Sequence, residues 1–217
     1  MPKNPYYVYG ATEVEYLKSK DKRLGDAIDR IGTIKREVYP ELYPTLVKSI
    51  VGQQISTKAQ MTVWARMTER FQPFTPNVLA QAAVKELQGC GISMRKATYI
   101  HAMTQAIEAG EVNLDALQTL SDEEVCQELT KLKGVGVWTA EMMLIFSLQR
   151  PDIVSYGDLA IQRGMRMLYR HKQITPDLFR KYRKRYAPYG TVASLYLWAI
   201  AGGAIPELTD PAPKQKK

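Results

Sequence analysis

The residues that hold metals and cross-links are scarce in this sequence. Its 217 residues include two cysteines, Cys90 and Cys126, and two histidines, His101 and His171. Two cysteines cannot build a disulfide framework, a four-cysteine iron–sulfur cluster or a Cys₄ zinc site, and two histidines make a histidine-rich metal site a poor fit. Such cysteine usage suits a reducing, cytoplasmic compartment. No stretch approaches the roughly 18 uncharged apolar residues of a membrane-spanning helix. The first residues, MPKNPYYVYGATEVEY, lack the apolar run of a secretory signal. Sustained β-type alternation, tandem repeats and long linkers are missing too, which disfavours a sheet-built core and a beads-on-a-string layout.

What remains is the pattern of a helical globular protein. The chain is 45% hydrophobic and 24% charged, ordinary for a folded domain, and long enough for one large domain or two small lobes. Leu42, Leu46, Val47, Ile50 and Val51 share one helical face. In the run Thr57–Phe71, Met61, Trp64, Ala65 and Thr68 are expected on one side. Thr75-Pro76 and Thr175-Pro176 each read as a helix cap followed by proline at the first helical position. Ser121 with Glu124 is a capping box. Further helices are expected over 95–109, 137–148, 159–170 and 192–201. Both ends, residues 1–10 and 210–217, are expected to be loose. Thirty Lys and Arg against 22 Asp and Glu leave a formal charge of +8. That excess favours a polyanionic partner, nucleic acid above all, although Lys214, Lys216 and Lys217 supply three of the charges.

The strongest local signal is Leu132-Lys133-Gly134-Val135-Gly136-Val137-Trp138-Thr139-Ala140. One helix ends near Leu132 and another begins near Val137. Two glycines allow a tight turn and leave the main-chain amides open to a large anion. The second helix points its positive end into the same space. That arrangement suits a DNA phosphate and reads no base. Read from the residues alone, the commoner meaning is a plain glycine turn between helices. It is not a dinucleotide fingerprint, since no third glycine follows and no strand precedes it.

Together with Asp152-Ile-Val-Ser-Tyr-Gly-Asp158-Leu-Ala-Ile-Gln-Arg163-Gly, Ile50-Val-Gly-Gln-Gln-Ile-Ser56 and Leu87-Gln-Gly-Cys-Gly-Ile-Ser-Met94-Arg-Lys-Ala97, the hairpin strongly resembles the helix-hairpin-helix DNA glycosylase superfamily. The closer likeness is to its alkyl-purine branch, the 3-methyladenine DNA glycosylase II family. The likeness spans roughly residues 20–205. It implies an all-α, two-lobed unit over 1–217, with the DNA and base cleft between lobes. One lobe covers about 35–145, with wedge loop and hairpin. The other covers 12–34 plus 146–205, and 206–217 is a loose basic tail. It implies a bacterial, nucleoid-associated monomer acting on double-stranded DNA with damaged bases, in base excision repair. Longer relatives carry an N-terminal mixed α/β domain for which residues 1–20 are too few. Tyr6, Tyr7, Tyr9 and Tyr16 are candidates to replace its pocket wall, and a more open pocket would favour cationic over neutral bases.

The resemblance also assigns roles. Asp158, twenty residues after Trp138, matches the family's catalytic aspartate. A fixed carboxylate steadies the cationic sugar as the base departs and can orient the attacking water. By position alone Asp158 is also an ordinary helix cap, and the two roles are compatible. Asp152 and Glu141 are weaker candidates. Trp138 stands where strand-nicking relatives carry a Schiff-base lysine, so the implied enzyme is monofunctional and forms no lyase adduct. Trp138 and Trp198 match aromatic positions of the base pocket, where a cationic alkylated purine is attracted to a ring face. Met142 is a further wall candidate. Each of these three is equally a core residue on helical spacing alone.

Met94 matches the apolar wedge that fills the gap left by a flipped nucleotide, with Arg95 and Lys96 beside it as phosphate contacts or solvated charges. Gly134, Val135, Gly136, Val137 and Thr139 are the expected phosphate grip, Thr139 as a cap or a phosphate ligand. Gln53, Gln54 and Ser56 form a polar turn facing the minor groove or the pocket. The main-chain carbonyls of Thr130, Leu132 and Val135 are the implied site for a structural K⁺ or Na⁺, with no cofactor required for chemistry. The basic runs Arg163, Arg166, Arg170, His171, Lys172 and Lys181–Arg185 are solvated faces or phosphate contacts. Two other readings stay open: a glycosylase for an oxidised or deaminated base, and a non-catalytic hairpin module that only binds DNA.

Overall fold

Side-chain caps start most of the helices. A computed structural model describes residues 5–212, and among these the chain is helical. A single isolated antiparallel bridge joins Tyr6 to Glu37. The helices are α1 (Ala11–Lys20), α2 (Lys22–Ile31), α3 (Leu42–Gly52), α4 (Thr57–Arg70), α5 (Pro76–Gln81), α6 (Val84–Gln88), α7 (Met94–Glu108), a 3₁₀ turn (Asp115–Thr119), α8 (Asp122–Thr130), α9 (Val137–Phe146), α10 (Leu159–Tyr169), α11 (Pro176–Tyr186) and α12 (Gly190–Ala201). Thr75 and Thr175 accept from the amides of Val78 and Leu178, each ahead of a first-turn proline. Ser121 and Glu124 exchange the two bonds of the capping box. At such positions the hydroxyl satisfies amides that the first turn leaves without intrahelical partners.

The chain divides into two compact units. The first joins residues up to Val38 with those from Gln149 onward; the second is the continuous stretch Tyr39–Leu148. Both borders lie three or four residues later than expected, the first because residues 5–10 and 35–38 hold each other. Tyr7 N–H donates to the Arg36 carbonyl at 2.8 Å and Val38 N–H to the Pro5 carbonyl at 2.9 Å.

The first unit packs α1, α2, α10, α11 and α12 around Leu17, Leu24, Ile161, Met165, Tyr186, Leu197 and Ile200, all fully buried. Its tightest contact joins α10 to α12. Gly164 lies against the main chain of Leu197, and a Cβ there would collide with the Leu197 carbonyl. Only glycine lets the two backbones approach so closely.

Several expectations fail in this unit for one reason, long-range pairing. The N-terminal segment is not loose from residue 5. The hydroxyls of Tyr7, Tyr9 and Tyr16 bond the carbonyls of Arg150, Ile34 and Ala187, so these side chains staple the unit together. Tyr6 is exposed and makes the bridge to Glu37. The C-terminal segment is tied down as far as Ala212, because Arg166 grips Asp210 through Nε at 2.9 Å and Nη2 at 2.5 Å. Residues 1–4 and 213–217 lie outside the described residues. The basic runs are largely spoken for: Arg183 pairs with Asp152, Arg185 with the buried Asp21, and His171 Nε2 meets the Tyr182 hydroxyl.

The second unit buries Leu46, Val47, Ile50 and Val51 of α3 as their spacing predicts, together with Met67, Ile100, Met103, Val125, Leu129 and Ile145. In α4 the expected face is wrong. Met61 is 65% exposed and Ala65 is exposed, whereas Val63 and Met67 face inward. Val63, Met67 and the buried Phe71 beyond the helix follow a four-residue stride, and that stripe meets the core.

Candidate functional site

Asp158 caps α10. Its main chain is extended at φ −81°, ψ 112°, and its Oδ1 accepts the amides of Ala160 at 2.9 Å and Ile161 at 2.8 Å. The same oxygen accepts the indole Nε1–H of Trp198 on α12 at 3.2 Å. The residue is 7% exposed. Three donors and the start of a helix hold this buried carboxylate in one orientation. Beside this contact α10 and α12 approach closely, Gly164 of α10 lying against Leu197, the residue before Trp198 on α12. Leu159, the first residue of α10, is 80% exposed, and Tyr156 before it is exposed as well. Apolar side chains thus stand in solvent next to a buried carboxylate, a feature that sequence spacing does not flag.

The competing carboxylate has other work. Asp152 Oδ1 accepts Arg183 Nη1 at 2.8 Å and the Gly190 amide at 2.9 Å, while its carbonyl accepts Arg183 Nη2. It joins the start of α12 to α11, a structural task. Glu141 is a half-buried residue of α9 in the other unit.

In the second unit the hairpin turns between α8 and α9. The Val135 amide donates to the Leu132 carbonyl at 3.1 Å, and Gly134 sits at φ +85°. That left-handed conformation excludes most residues, and a Cβ at Gly134 would also press on Tyr99 at 2.9 Å. Gly136 is the N-cap of α9 and gives it no side-chain cap; a Cβ there would meet nothing within 4 Å. Val137 and Trp138 in the first turn are 61% and 48% exposed. Thr139, expected as a cap or a phosphate ligand, is a third-position residue buried at 6%; the cap belongs to Gly136. Trp138 is not a core residue, and Met142 is one.

The remaining expected contacts divide into supports and exposed tips. Gln53 Nε2 donates to the Gly134 carbonyl at 3.0 Å, docking the end of α3 onto the hairpin. Gln54 is exposed and adopts φ +57°, rare for a residue with a side chain. Ser56 caps α4 through the Ala59 amide. Met94 opens α7 and stands 44% exposed after the turn at Gly91, with Arg95 exposed beside it. Lys96 is no phosphate contact. It is buried, and its Nζ donates to the carbonyls of Val51 at 2.8 Å and Gln53 at 2.5 Å. Burial, aided by the neighbouring Arg95 charge, pushes its ammonium below the usual lysine range. Lys96 fixes the end of α3, Gln53 in turn supports the hairpin, and neither link has a local sequence signal.

No group of three or more His, Cys, Asp or Glu able to hold a metal ion occurs among the described residues. The hairpin carbonyls of Thr130, Leu132 and Val135 are neutral oxygens of the kind that suit a monovalent cation. Leu132 spends one lone pair on the Val135 amide, and a carbonyl has two.

Known proteins resemble this chain in sequence and in fold. The sequence pattern described as HhH-GPD superfamily base excision DNA repair protein matches residues 47–188, a span that holds the hairpin and Asp158. The chain belongs to this superfamily. Within it, the chain is 33% identical over 163 residues to DNA-3-methyladenine glycosylase 1 of Schizosaccharomyces pombe, a match covering 73% of this chain and 72% of that one. Among solved structures it is similar to a DNA-3-methyladenine glycosidase from Bacillus halodurans, with a TM-score of 0.84, 35% identity, and 93% and 94% of the two chains covered. A 3-methyladenine DNA glycosylase of S. pombe solved with abasic DNA gives a TM-score of 0.74 at 29% identity, covering 87% and 96%. As a superfamily member the chain is a helix-hairpin-helix DNA glycosylase of base excision repair.

Proposed function

We propose that this glycosylase is monofunctional and hydrolyses the N-glycosidic bond of alkylated purines, of the 3-methyladenine and 7-methylguanine type, flipped out of double-stranded DNA. The observation that carries the reading is the carboxylate of Asp158, buried, capped onto α10 and held by an indole, in a chain similar to alkyl-purine glycosylases. A purine alkylated at N3 or N7 is already positive. When its bond to the sugar breaks, the electron pair goes to the base, which leaves neutral, and C1′ becomes an oxocarbenium-like cation. Asp158 stabilises that cation. Water then adds its oxygen to C1′ and gives up a proton, to the carboxylate or to solvent, leaving an abasic site.

The hairpin at 134–137 supplies the phosphate grip and Met94 the wedge. Trp138, exposed on α9, offers a ring face to a cationic base and no amine for a Schiff base. A K⁺ or Na⁺ on the carbonyls of Thr130, Leu132 and Val135 would stiffen the turn without entering the reaction, and the enzyme acts as a monomer. Base release from duplexes carrying one defined lesion, read by liquid chromatography, tests the reading. Wild type releases the alkylated purine, and borohydride traps no covalent adduct. An adduct would overturn monofunctionality. Faster release of an oxidised base than of 3-methyladenine would overturn the substrate class.

A further inference from the structure

Three donors converge on one oxygen of Asp158, and one of them comes from a side chain whose ring matches a base-stacking position. Trp198 is half-buried, and its Nε1–H lies 3.2 Å from Asp158 Oδ1. Above the same indole stands the guanidinium of Arg36, 5.8 Å from the ring centre. All three residues belong to one unit. We propose that Trp198 is a positioning residue for Asp158, and that Arg36 holds the indole in that task.

The geometry separates this role from base stacking. The indole N–H is spent on the carboxylate, a charge-assisted bond stronger than one between neutral groups. A cation over the ring draws on the π-electrons and makes the N–H a better donor. The face that Arg36 covers is closed to a cationic purine by like charge. Each partner is also fixed from behind. Trp198 follows Leu197, whose main chain is seated against Gly164 of α10. Arg36 is set by its own carbonyl, which accepts the Tyr7 amide, and by the Val38–Pro5 bond two residues on. The N-terminal tyrosine segment therefore reaches Asp158 at two removes, through Arg36 and then Trp198. With Oδ1 clamped, the carboxylate keeps one rotamer while the sugar turns positive, and no reorganisation is needed at that moment.

The inference rests on Asp158 acting in base release, so its test includes a readout that needs no activity. The chain has three tryptophans, so ¹⁵N-indole spectra of the free protein are simple. W198F identifies the Trp198 signal by its disappearance. In D158N, which keeps a good capping residue, the Trp198 indole proton moves upfield while the Trp64 and Trp138 signals stay. R36Q moves it the same way by less, and R36K restores it. An unmoved Trp198 signal in D158N overturns the proposal.

Single-turnover release from methylated duplex is the second arm. W198F slows the chemical step about tenfold, the loss expected for one hydrogen bond to a charged group, with duplex affinity within about twofold of wild type. R36Q slows it less and R36K recovers the rate. Weakened binding with an unchanged chemical step would mark Trp198 as a stacking ring and overturn the assignment. Should W198F fail to melt cooperatively, the R36Q and R36K pair decides. A D158N enzyme that still releases base removes the carboxylate's role and the proposal with it. The indole shift would still record the contact, which tells that failure from a wrong geometry.

Discussion

Helices α9 and α10 begin alike in sequence, each after a short turn with glycine, and finish with opposite electrostatics. At α10 the chain supplies its own anion: Asp158 folds back on the amides of Ala160 and Ile161 and is buried. At α9 the cap is Gly136, no side chain closes the first turn, and Val137 and Trp138 stand in solvent. A helix start carries roughly half a positive charge in either case. Where an internal carboxylate meets it, the chain's own side chain occupies the first-turn amides. Where glycine leaves it open, the same dipole is available to an outside anion. One element of secondary structure thus has two uses, and a single side chain decides between them.

The sharpest way to break the comparison is to remove the internal anion. Asp158→Asn keeps the cap and the fold but loses the charge. Base release from methylated DNA falls about a hundredfold or more, while duplex affinity measured by fluorescence anisotropy holds. The reverse experiment makes α9 resemble α10. Gly136 is extended, at φ −98° and ψ 173°, with open space where a Cβ would go, so Gly136→Asp fits and caps α9 from within. Thermal stability holds or rises, by about 0.5–2 kcal/mol. Duplex affinity drops about tenfold or more, and the slope of log affinity against log salt shrinks by about 0.9 for each phosphate that the variant no longer neutralises. A stable variant with undiminished affinity would mean that the turn grips no phosphate.

How far the sequence reveals this contrast depends on how local each signal is. The caps at Thr75, Ser121 and Thr175, the hairpin glycines and the aspartate before α10 depend on neighbours three or four residues away, and all are readable. Lys96 looks like a surface charge beside Arg95. Its burial follows from carbonyls at Val51 and Gln53, more than forty positions back. Asp152 has the look of a rival carboxylate in sequence, and only the fold shows that Arg183 and Gly190 claim it. The inward face of α4 is hard to read because Met61 and Val63 are similar in hydropathy, and only the neighbours choose. Arg36 has no local signal at all. It matters because a ring 162 residues later lies beneath it.

Smaller effects sharpen the division between carboxylates. Asp152→Asn weakens the bond to Arg183 and lowers stability in urea by about 1–2 kcal/mol, while the base-release rate stays near wild type. A rate loss as deep as that of Asp158→Asn would contradict the structural role given to Asp152. The smallest effect concerns pH. The Arg166 guanidinium, aided by the Ala212 amide, holds the Asp210 carboxyl below the usual carboxylate range. A depressed folded value means the stabilisation is complete above the ordinary aspartate pKa of about 3.9 and fades as pH falls through the lower folded value. Hydrogen exchange in residues 205–212 should therefore quicken only at strongly acidic pH, and in Asp210→Asn it should already be fast near neutrality.

The order in which the two units can be completed follows from how the chain divides. A ribosome that has released residue 148 has delivered all of Tyr39–Leu148, hairpin included, and that continuous unit can mature at once. Asp158 has to wait until Trp198 emerges, forty residues later, before its oxygen is clamped. A nascent chain thus completes the unit that carries the hairpin before the clamp on Asp158 can form, and the Asp158–Trp198 contact is assembled last.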